Sequence, residues 1–600
     1  MGVEFQALTW EAVDTDDEHL ISIFGKTEDG KSVCVTTLFT PYFFIKLSER
    51  VTQQTVQEIY NIIDKKCPNC LVSYSVMKAK DVWGFQNNKE FVYMKLDFKN
   101  LKSRRRVDYF LKNPVQITSG IQRFKVYESN IDPVLRLMHR TGIQSTGWLK
   151  TGDDCVRSHL ARVNIDLFCN DWSTLKPVHR DDIAPFVVAS FDIECNSSTG
   201  KFPNPNIIGD ACFQIAVSLC TSGNDEPYDK TCFCYKKTDS NLDGCTIVSF
   251  DTEREMLEAF QQYIHQKDID IMTGWNIFGF DLDYIYTRAF IVGCNPEFFK
   301  MGKLKSQDCE IVIKKLSSSA LGDNVLKLLP MSGRFIFDLF HEVKKGYKLD
   351  SYSLNNVSKL YLGDQKIDMS PKEMFARYVE GDPIKLRDVA EYCVKDTLLP
   401  HKLMKKMCIL LNLLEMAKAT WVPMCFLVER GQQIKVFSQL SKKAREMGFM
   451  IPTIRYGQLP EEPYEGATVL EAQKGAYYTP ITALDFEALY PSIMMAHNLC
   501  YSSYVMNEKE YGNIPGVEYE TFTIGEKTYK FAQDVPSLLP AILLELKQFR
   551  KKAKKDMASA TGYMKEVYNG KQLAYKVSMN SVYGFTGAGK GILPCVPIAS

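Results

Sequence analysis

The segment PFVVASFDIEC, residues 185–195, constrains the fold of this chain more than any other stretch. It is a near-continuous apolar run of strand type, the pattern of a central strand covered on both faces. Yet it carries Asp192 and Glu194. Side chains alternate along a strand, so the two carboxylates share one face, about 6–7 Å apart. Two acids on an otherwise apolar strand carry a large desolvation cost unless cations or donors answer them. A metal site is the economical reading, and an exposed strand end the bland one.

An α/β unit grows from this strand. Strand-like FQIAVSLC, helical REMLEAFQQYIHQ, strand-like DIDIMTGW and a helix opening at Asp281 alternate around a mixed sheet, and a long helical segment from about Pro400 to Ala419 closes it. Upstream, short strands (SVCVTTLF, PYFFIKL, FVYMKLDF) alternate with helical patches and no catalytic cluster stands out. The polar, proline-punctuated stretch from Pro177 to Pro185 reads as a boundary. Downstream, residues 467–506 read as a strand followed by a helix, and residues 536–582 as two helices joined near Thr561 and Gly562.

Composition narrows the classes. With 600 residues, 45% hydrophobic and 24% charged, the chain can bury several cores, which excludes a peptide hormone, a disulfide miniprotein and a lone binding module. Lys and Arg number 73 against 72 Asp and Glu, a net charge of +1, so any nucleic-acid surface must be local. No apolar stretch approaches membrane-spanning length and the first residues lack a signal-peptide pattern, so a soluble, intracellular protein with no membrane partner is expected. The 18 Cys are scattered singly and read as buried free thiols. Cys67 and Cys70 form one CxxC, but no second CxxC or spaced His pair completes a zinc site. The basic run of Lys102, Arg104, Arg105 and Arg106 reads as a solvated face before a nucleic-acid patch.

Asp281 follows an apolar segment in GWNIFGFDLDY, and Tyr392 and Asp396 in YCVKD stand four apart on one helix face. Singly, the first reads as a helix cap and the second as surface decoration. Taken in order, FDIE, the NxxxFD of Asn276, Phe280 and Asp281, and the YxxxD of Tyr392 and Asp396 resemble the proofreading 3′→5′ exonuclease domain of B-family DNA polymerases. The resemblance implies a ribonuclease-H-like fold in which Asp192, Glu194, Asp281 and Asp396 hold two divalent ions, Mg²⁺ or Mn²⁺. Tyr392 would orient the attacking water, and Asn276 and Phe280 would contact DNA. Hard carboxylate oxygens suit such ions, which serve in-line displacement at phosphorus.

A second constellation lies downstream. ALDFEALYPSIMMAHNLCYSS resembles motif A (DFxSLYPS) of the same family, implying that Asp485 binds the polymerase metals and Tyr490 blocks a ribose 2′-OH; Ala488 replaces the usual Ser. Between Pro536 and Lys576 nine basic residues face three acids, which by itself reads as a solvated basic helix. KVSMNSVYGFTGA resembles motif B (KxxxNSxYG). That implies helical fingers whose Arg550, Lys554, Lys576 and Asn580 hold dNTP phosphates, with Tyr583 and Gly584 against the nascent base pair. Gly584, Gly589 and Lys590 also satisfy GxxxxGK, but Gly591 follows instead of Ser or Thr and a helix precedes, which excludes a Walker site. Tyr464, Gly466 and Ala467 resemble the delta-type YxGG region, which contacts template. RGQQIKVFSQL, YKLDSYSLNNVSKLYLG and FKVYESNIDPVLRLMHRTGI also resemble the delta branch, in the version of large nucleocytoplasmic DNA viruses.

The implied architecture is multidomain α/β: an N-terminal mixed β/α domain (1–180), a ribonuclease-H-like exonuclease domain (181–420), a connecting region with the first part of the palm (421–535), helical fingers (536–590) and the start of a second palm segment (591–600). The implied function is replicative, template-directed DNA synthesis with proofreading, on primer-template DNA and dNTPs, in the nucleus or at a viral replication site. A sliding clamp and accessory subunits are implied partners. Motif C (YGDTDS) does not occur, and the one DTD string is Asp14–Asp16, so the exonuclease site alone is expected to be complete in a chain truncated before motif C. The alternative is a non-polymerising exonuclease or nucleic-acid-binding protein on the same fold.

Overall fold

Strand pairing organises the computed structural model, which describes residues 2–318, 322–364, 369–454, 470–589 and 591–600. The N-terminal region holds a seven-stranded sheet centred on Glu4–Asp14, His19–Lys26 and Ser32–Leu38. A five-stranded sheet beside it contains Leu71–Asp81, Glu90–Phe98, Tyr42–Lys46 and Val126–Tyr127. Its last strand, Phe449–Met450, comes from far downstream and pairs in parallel with Lys80 and Asp81.

The middle of the chain builds a six-stranded mixed sheet from β1 (Val187–Cys195), β2 (Cys212–Thr221), β3 (Asp229–Tyr235), β4 (Thr246–Phe250), β5 (Ile271–Thr273) and β6 (Phe335–Ile336). Spatial order is β4-β3-β2-β1-β5-β6, with β1 antiparallel to β2 and parallel to β5. As the apolar run requires, β1 sits inside the sheet. Helix α1 (Glu253–Gln266), opened by a Thr252/Glu255 capping box, covers one face, where Phe260 meets Phe191 at 6.1 Å. Next in the chain come α2 (Asp281–Ile291) and α3 (Leu339–Gly346). Helix α4 (Pro383–Lys406) covers the other face, seating Cys393 against Ala216, Cys232 and Cys234.

The helical segment expected from Pro400 to Ala419 is two helices. Helix α4 begins at Pro383 behind the Asp382 cap and carries Pro400 in its interior, and α5 (Ile409–Thr420) follows after a break. The break falls at Cys408, whose left-handed φ of 52° redirects the chain. Pro400 removes one ladder bond but stays in the helix because both flanks pack in the core.

Downstream, residues 470–488 adopt no regular structure, so the strand expected before the motif A helix is absent. These residues are largely exposed, and no strand among the described residues pairs with them, leaving no ladder for their backbone groups. The helix forms as α6 (Leu489–Ala496). The paired basic helices also form, as α7 (Leu538–Ser559) and α8 (Gly562–Gly587). Gly570 lets α8 lean on α5, since a Cβ there would stand 3.3 Å from the Asn412 amide oxygen.

Sixteen thiols are free among the described residues, Cys67 and Cys70 buried among them, while Cys155 and Cys169 form a disulfide that single spacing did not reveal. Arg104 of the basic run is buried and donates to the Ile131 carbonyl, whereas Lys102, Arg105 and Arg106 are exposed. No helix among the described residues is long and apolar enough to cross a membrane.

A buried ion cluster joins the first two regions. Lys26 of the N-terminal sheet reaches Asp270 at 2.5 Å, Lys303 reaches Asp270 at 2.6 Å and Asp268 at 2.9 Å, and the Val187 N–H donates to Asp270 at 2.8 Å. Asp270 therefore fixes the start of β1 against the N-terminal sheet. Asp270→Ala, which leaves the two buried ammonium groups to share the partly exposed Asp268, is expected to lower unfolding free energy by about 3–5 kcal/mol in urea denaturation. A loss below about 1 kcal/mol, the range of an exposed pair, would contradict that role.

Candidate active site

The two carboxylates of β1 point toward α4. Opposite them on β2 stand Ala216 and Gln214, and regular pairing shifts just after Glu194, a bulge that turns the strand end. Gln214 donates from Nε2 to the Leu386 carbonyl at 2.8 Å, tying β2 to α4 below the acids. Glu194 is buried and Asp192 half-buried.

Helix α4 adds Tyr392, Cys393 and Asp396. The Cys393 thiol donates to the Asp192 carbonyl at 3.5 Å and lies 3.9 Å from its Oδ2. Potential ligand atoms of Asp192, Glu194 and Cys393 all fall within 4.8 Å of one another. Burial raises the Cys393 thiol well above its ordinary range, and the negative charges of Asp192, Glu194 and Asp396 raise it further. Asp396, itself buried, thus belongs to the same cluster. Tyr392 packs its ring beside the Phe213–Tyr378 core, one turn before Asp396.

Asp281 acts on the thiol that follows Glu194 in β1. It is buried as the first residue of α2. The Cys195 thiol is raised by burial, by Cys212, and by the charges of Glu194 and Asp281. Asp192 and Glu194 thus stand together near the end of β1, with the charge of Asp396 acting on Cys393 and that of Asp281 on Cys195 beside them, while the close group of potential ligand atoms among the described residues is Asp192, Glu194 and Cys393. Asn276 and Phe280 lie on the loop leading into Asp281, Asn276 with a left-handed φ of 66°.

Sequence reasoning missed Phe202. It is 78% exposed and meets Phe280 edge to face at 5.3 Å. Its loop is fixed from below: Asp210 accepts from the Ser198 N–H and hydroxyl and from the Asn204 N–H, while Arg288 donates to the Pro205, Ile207 and Ile208 carbonyls. The available signal was one aromatic in the polar, proline-rich stretch directly after the acidic strand.

The downstream residues form a second, basic concavity. Arg550 and Lys554 join Glu487, Ala488, Ser492, Lys547 and Met579 around a cavity of about 210 Å³ between α6, α7 and α8. The Tyr490 and Tyr583 rings stack nearly parallel, with centroids 4.2 Å apart, which brings the motif A and motif B segments into contact. Lys576, Asn580 and Gly584 are exposed along α8. Asp485 is exposed and joins no group of three potential metal ligands among the described residues. Tyr464, Gly466, Ala467 and Lys590 lie outside the described residues.

Comparison with known proteins adds an independent line. Residues 422–600 match the model of DNA polymerase family B, and residues 124–357 match the model of the family B exonuclease domain. The chain is 38% identical to a DNA polymerase of Paramecium bursaria Chlorella virus NY2A, over 97% of this chain and 64% of that protein. It is 35% identical to the DNA polymerase delta catalytic subunit of Dictyostelium discoideum, over 96% of this chain and 54% of the relative. The Arabidopsis thaliana subunit gives 35%, over 97% and 54%. The chain thus spans between about half and two thirds of the length of these relatives. Its fold matches a family B DNA polymerase structure from the archaeon Pyrobaculum calidifontis at a TM-score of 0.74 and 19% identity, covering 100% of this chain and 70% of that one.

Neutral thiols packed beside acids should be unreactive. Cys195 and Cys393 are expected to resist maleimide alkylation in the native protein at mildly alkaline pH and to label only after denaturation, as read by peptide mass spectrometry. Rapid native labelling at either would contradict their position against the carboxylates.

Proposed function

Because this chain belongs to the family B DNA polymerases, we propose that its carboxylate cluster is a 3′→5′ exonuclease site that edits primer ends, and that residues 485–584 carry the nucleotide-binding side of template-directed DNA synthesis. The pair Asp192 and Glu194 on one largely buried strand, with the charges of Asp396 and Asp281 acting on the thiols beside them, supports the reading. The acids offer hard oxygen donors, and burial together with their charge keeps the adjacent Cys393 thiol neutral, so the residues fit Mg²⁺ or Mn²⁺ better than a thiophilic ion. Two such ions held by these four acids would supply an activated water and charge for the leaving 3′ oxygen.

The chain's own residues account for the rest. Phe280 and the exposed Phe202 form an aromatic face for a terminal base, and such stacking contributes about 1–3 kcal/mol per base. Asn276 offers an amide to the same nucleotide. Tyr392, one turn before Asp396, orients the attacking water through its phenol. Arg550 and Lys554 of the basic concavity, with Lys576 and Asn580 exposed along α8, hold the dNTP phosphates and stabilise charge on the departing pyrophosphate. Tyr490, flat against Tyr583, is the side chain that blocks a ribose 2′-OH. Gly584 admits the base pair against α8, and Asp485 is the metal-binding acid of this second site. Tyr464 and Gly466 contact template. The delta-type relatives' name, catalytic subunit, supports accessory subunits as partners. A replicative role in the nucleus or at a viral replication site, with a sliding clamp, completes the proposal.

The test is a labelled-strand assay of residues 1–600 with Mg²⁺. Single-stranded DNA and a primer on its template are expected to shorten from the 3′ end, and joint Asp192→Ala and Glu194→Ala substitution to abolish this. A double variant that still degrades DNA would overturn the reading. In the same assay Tyr392→Phe should lower kcat about 100-fold with little change in KM. Phe202→Ala should instead raise KM about ten-fold, the loss of one stacking contact.

A further inference from the structure

Asp338 belongs to neither constellation, and no motif singles it out. It lies just after β6, almost fully buried at 1% exposure, where it caps α3. Its Oδ1 accepts from the Asn276 N–H at 2.9 Å and the Phe340 N–H at 3.0 Å, and its Oδ2 accepts from the Phe278 N–H at 3.0 Å. One carboxylate thus satisfies two backbone donors of the loop that ends in Asp281.

That loop needs an anchor. Asn276 is held in the left-handed region, which a residue with a side chain adopts only when its surroundings enforce it. Its carbonyl accepts from the Gly279 and Phe280 N–H groups at 2.9 and 3.1 Å, so the turn closes on itself. Its side chain lies where a Cβ at Gly279 would stand 2.4 Å from the amide oxygen. Behind the loop, Leu339 N–H donates to the Gly274 carbonyl at 3.1 Å and the Phe278 ring stacks on His341. Helix α2 opens directly afterwards with no side-chain cap, so the placement of Asp281 depends on the loop before it.

We infer that Asp338 is a positioning residue for the proposed exonuclease: its carboxylate fixes the loop from Gly274 to Asp281 and thereby sets where Asn276, Phe280 and Asp281 stand. The inference rests on the exonuclease reading only for its catalytic consequence, because the hold on the loop is geometric. Partners behind a functional side chain of this kind are worth about 10- to 100-fold in activity or metal affinity.

The electrostatics supply a distinctive readout. Burial raises the Asp338 carboxyl to about 7 against the pull of its three N–H donors, and the nearby Glu342 raises it further. His341 faces it at 3.9 Å and is itself kept neutral by burial and by Lys344 and Lys345. As pH falls through about 7 the carboxylate takes up a proton, and one oxygen turns from acceptor to donor against the loop N–H groups. The sign for stability is opposite: a folded-state carboxyl raised above its unfolded value costs stability as pH rises toward 7. Asp338→Asn removes that cost, so the fold is expected to survive the substitution.

The experiment compares wild type and Asp338→Asn for 3′→5′ degradation of single-stranded DNA on both sides of pH 7, with Mn²⁺ titrated. Wild-type kcat is expected to rise through about pH 7. The variant should keep the wild-type melting temperature, lose about 10- to 100-fold in kcat or Mn²⁺ affinity, and show no such step. A folded variant with wild-type rate and Mn²⁺ requirement, or one that keeps the pH step, would overturn the inference. Hydrogen exchange in the wild type decides the matter if the variant fails to fold. Protection of the Asn276 and Phe278 amides should fall as pH drops below 7, and unchanged protection would overturn the hold itself. A wild type that cleaves no DNA would instead remove the functional reading, and the exchange result would still stand.

Discussion

Asp192 and Glu194 leave a strand whose other side chains are packed against helices on both faces, so their charge has to be met within a few ångströms of the sheet. Everything near them is arranged around that requirement. The bulge after Glu194 ends regular pairing where the acids emerge, α4 and the start of α2 bring two further acids, and the charges of all four act on the buried thiols beside them. Like charges near one another repel, and buried acids are costly unless cations or hydrogen-bond donors answer them. The fold therefore carries a local electrostatic cost that its core has to offset.

The offset comes from elements outside the acidic cluster. Asp270 locks the first residue of β1 to Lys26 of the N-terminal sheet and to Lys303, which sets the direction in which the acidic strand runs. Helix α8 leans on α5 through Gly570, and its Lys571 pairs with Asp181 ahead of the sheet. The basic concavity and the acidic cluster thus share one framework, although they ask for opposite electrostatic environments and keep them through local charge alone.

Periodicity makes the sheet around β1, its covering helix α1 and the paired helices α7 and α8 legible from the residues, since each has a clean period and a recognisable boundary. The acidic and basic constellations are legible through spacing, because short strings such as FDIE and YCVKD keep their side chains on one face of an element. Other features depend on partners that no local window contains. The stretch around Asp485 has strand-like residues but no pairing strand, and Pro400 stays helical because its flanks are buried. Phe202 acquires meaning only once Phe280 is beside it, and Asp338 only once the loop at Asn276 folds against it. In each case a tertiary contact decides what propensity leaves open.

The edge strand at Phe449–Met450 ties the timing of folding to the order of synthesis. Its neighbour ends at Asp81, and the whole exonuclease sheet is made between the two. Buried contacts elsewhere in the N-terminal region also wait on late residues: His139 bonds Ser438 at 2.9 Å, and the Thr146 hydroxyl donates to the Leu414 carbonyl at 3.0 Å. At about 5–20 residues per second, a ribosome needs tens of seconds to travel that far. For that interval the first-made sheet stands with part of its edge open, a nascent surface that chaperones would meet before the rest of the chain can close it.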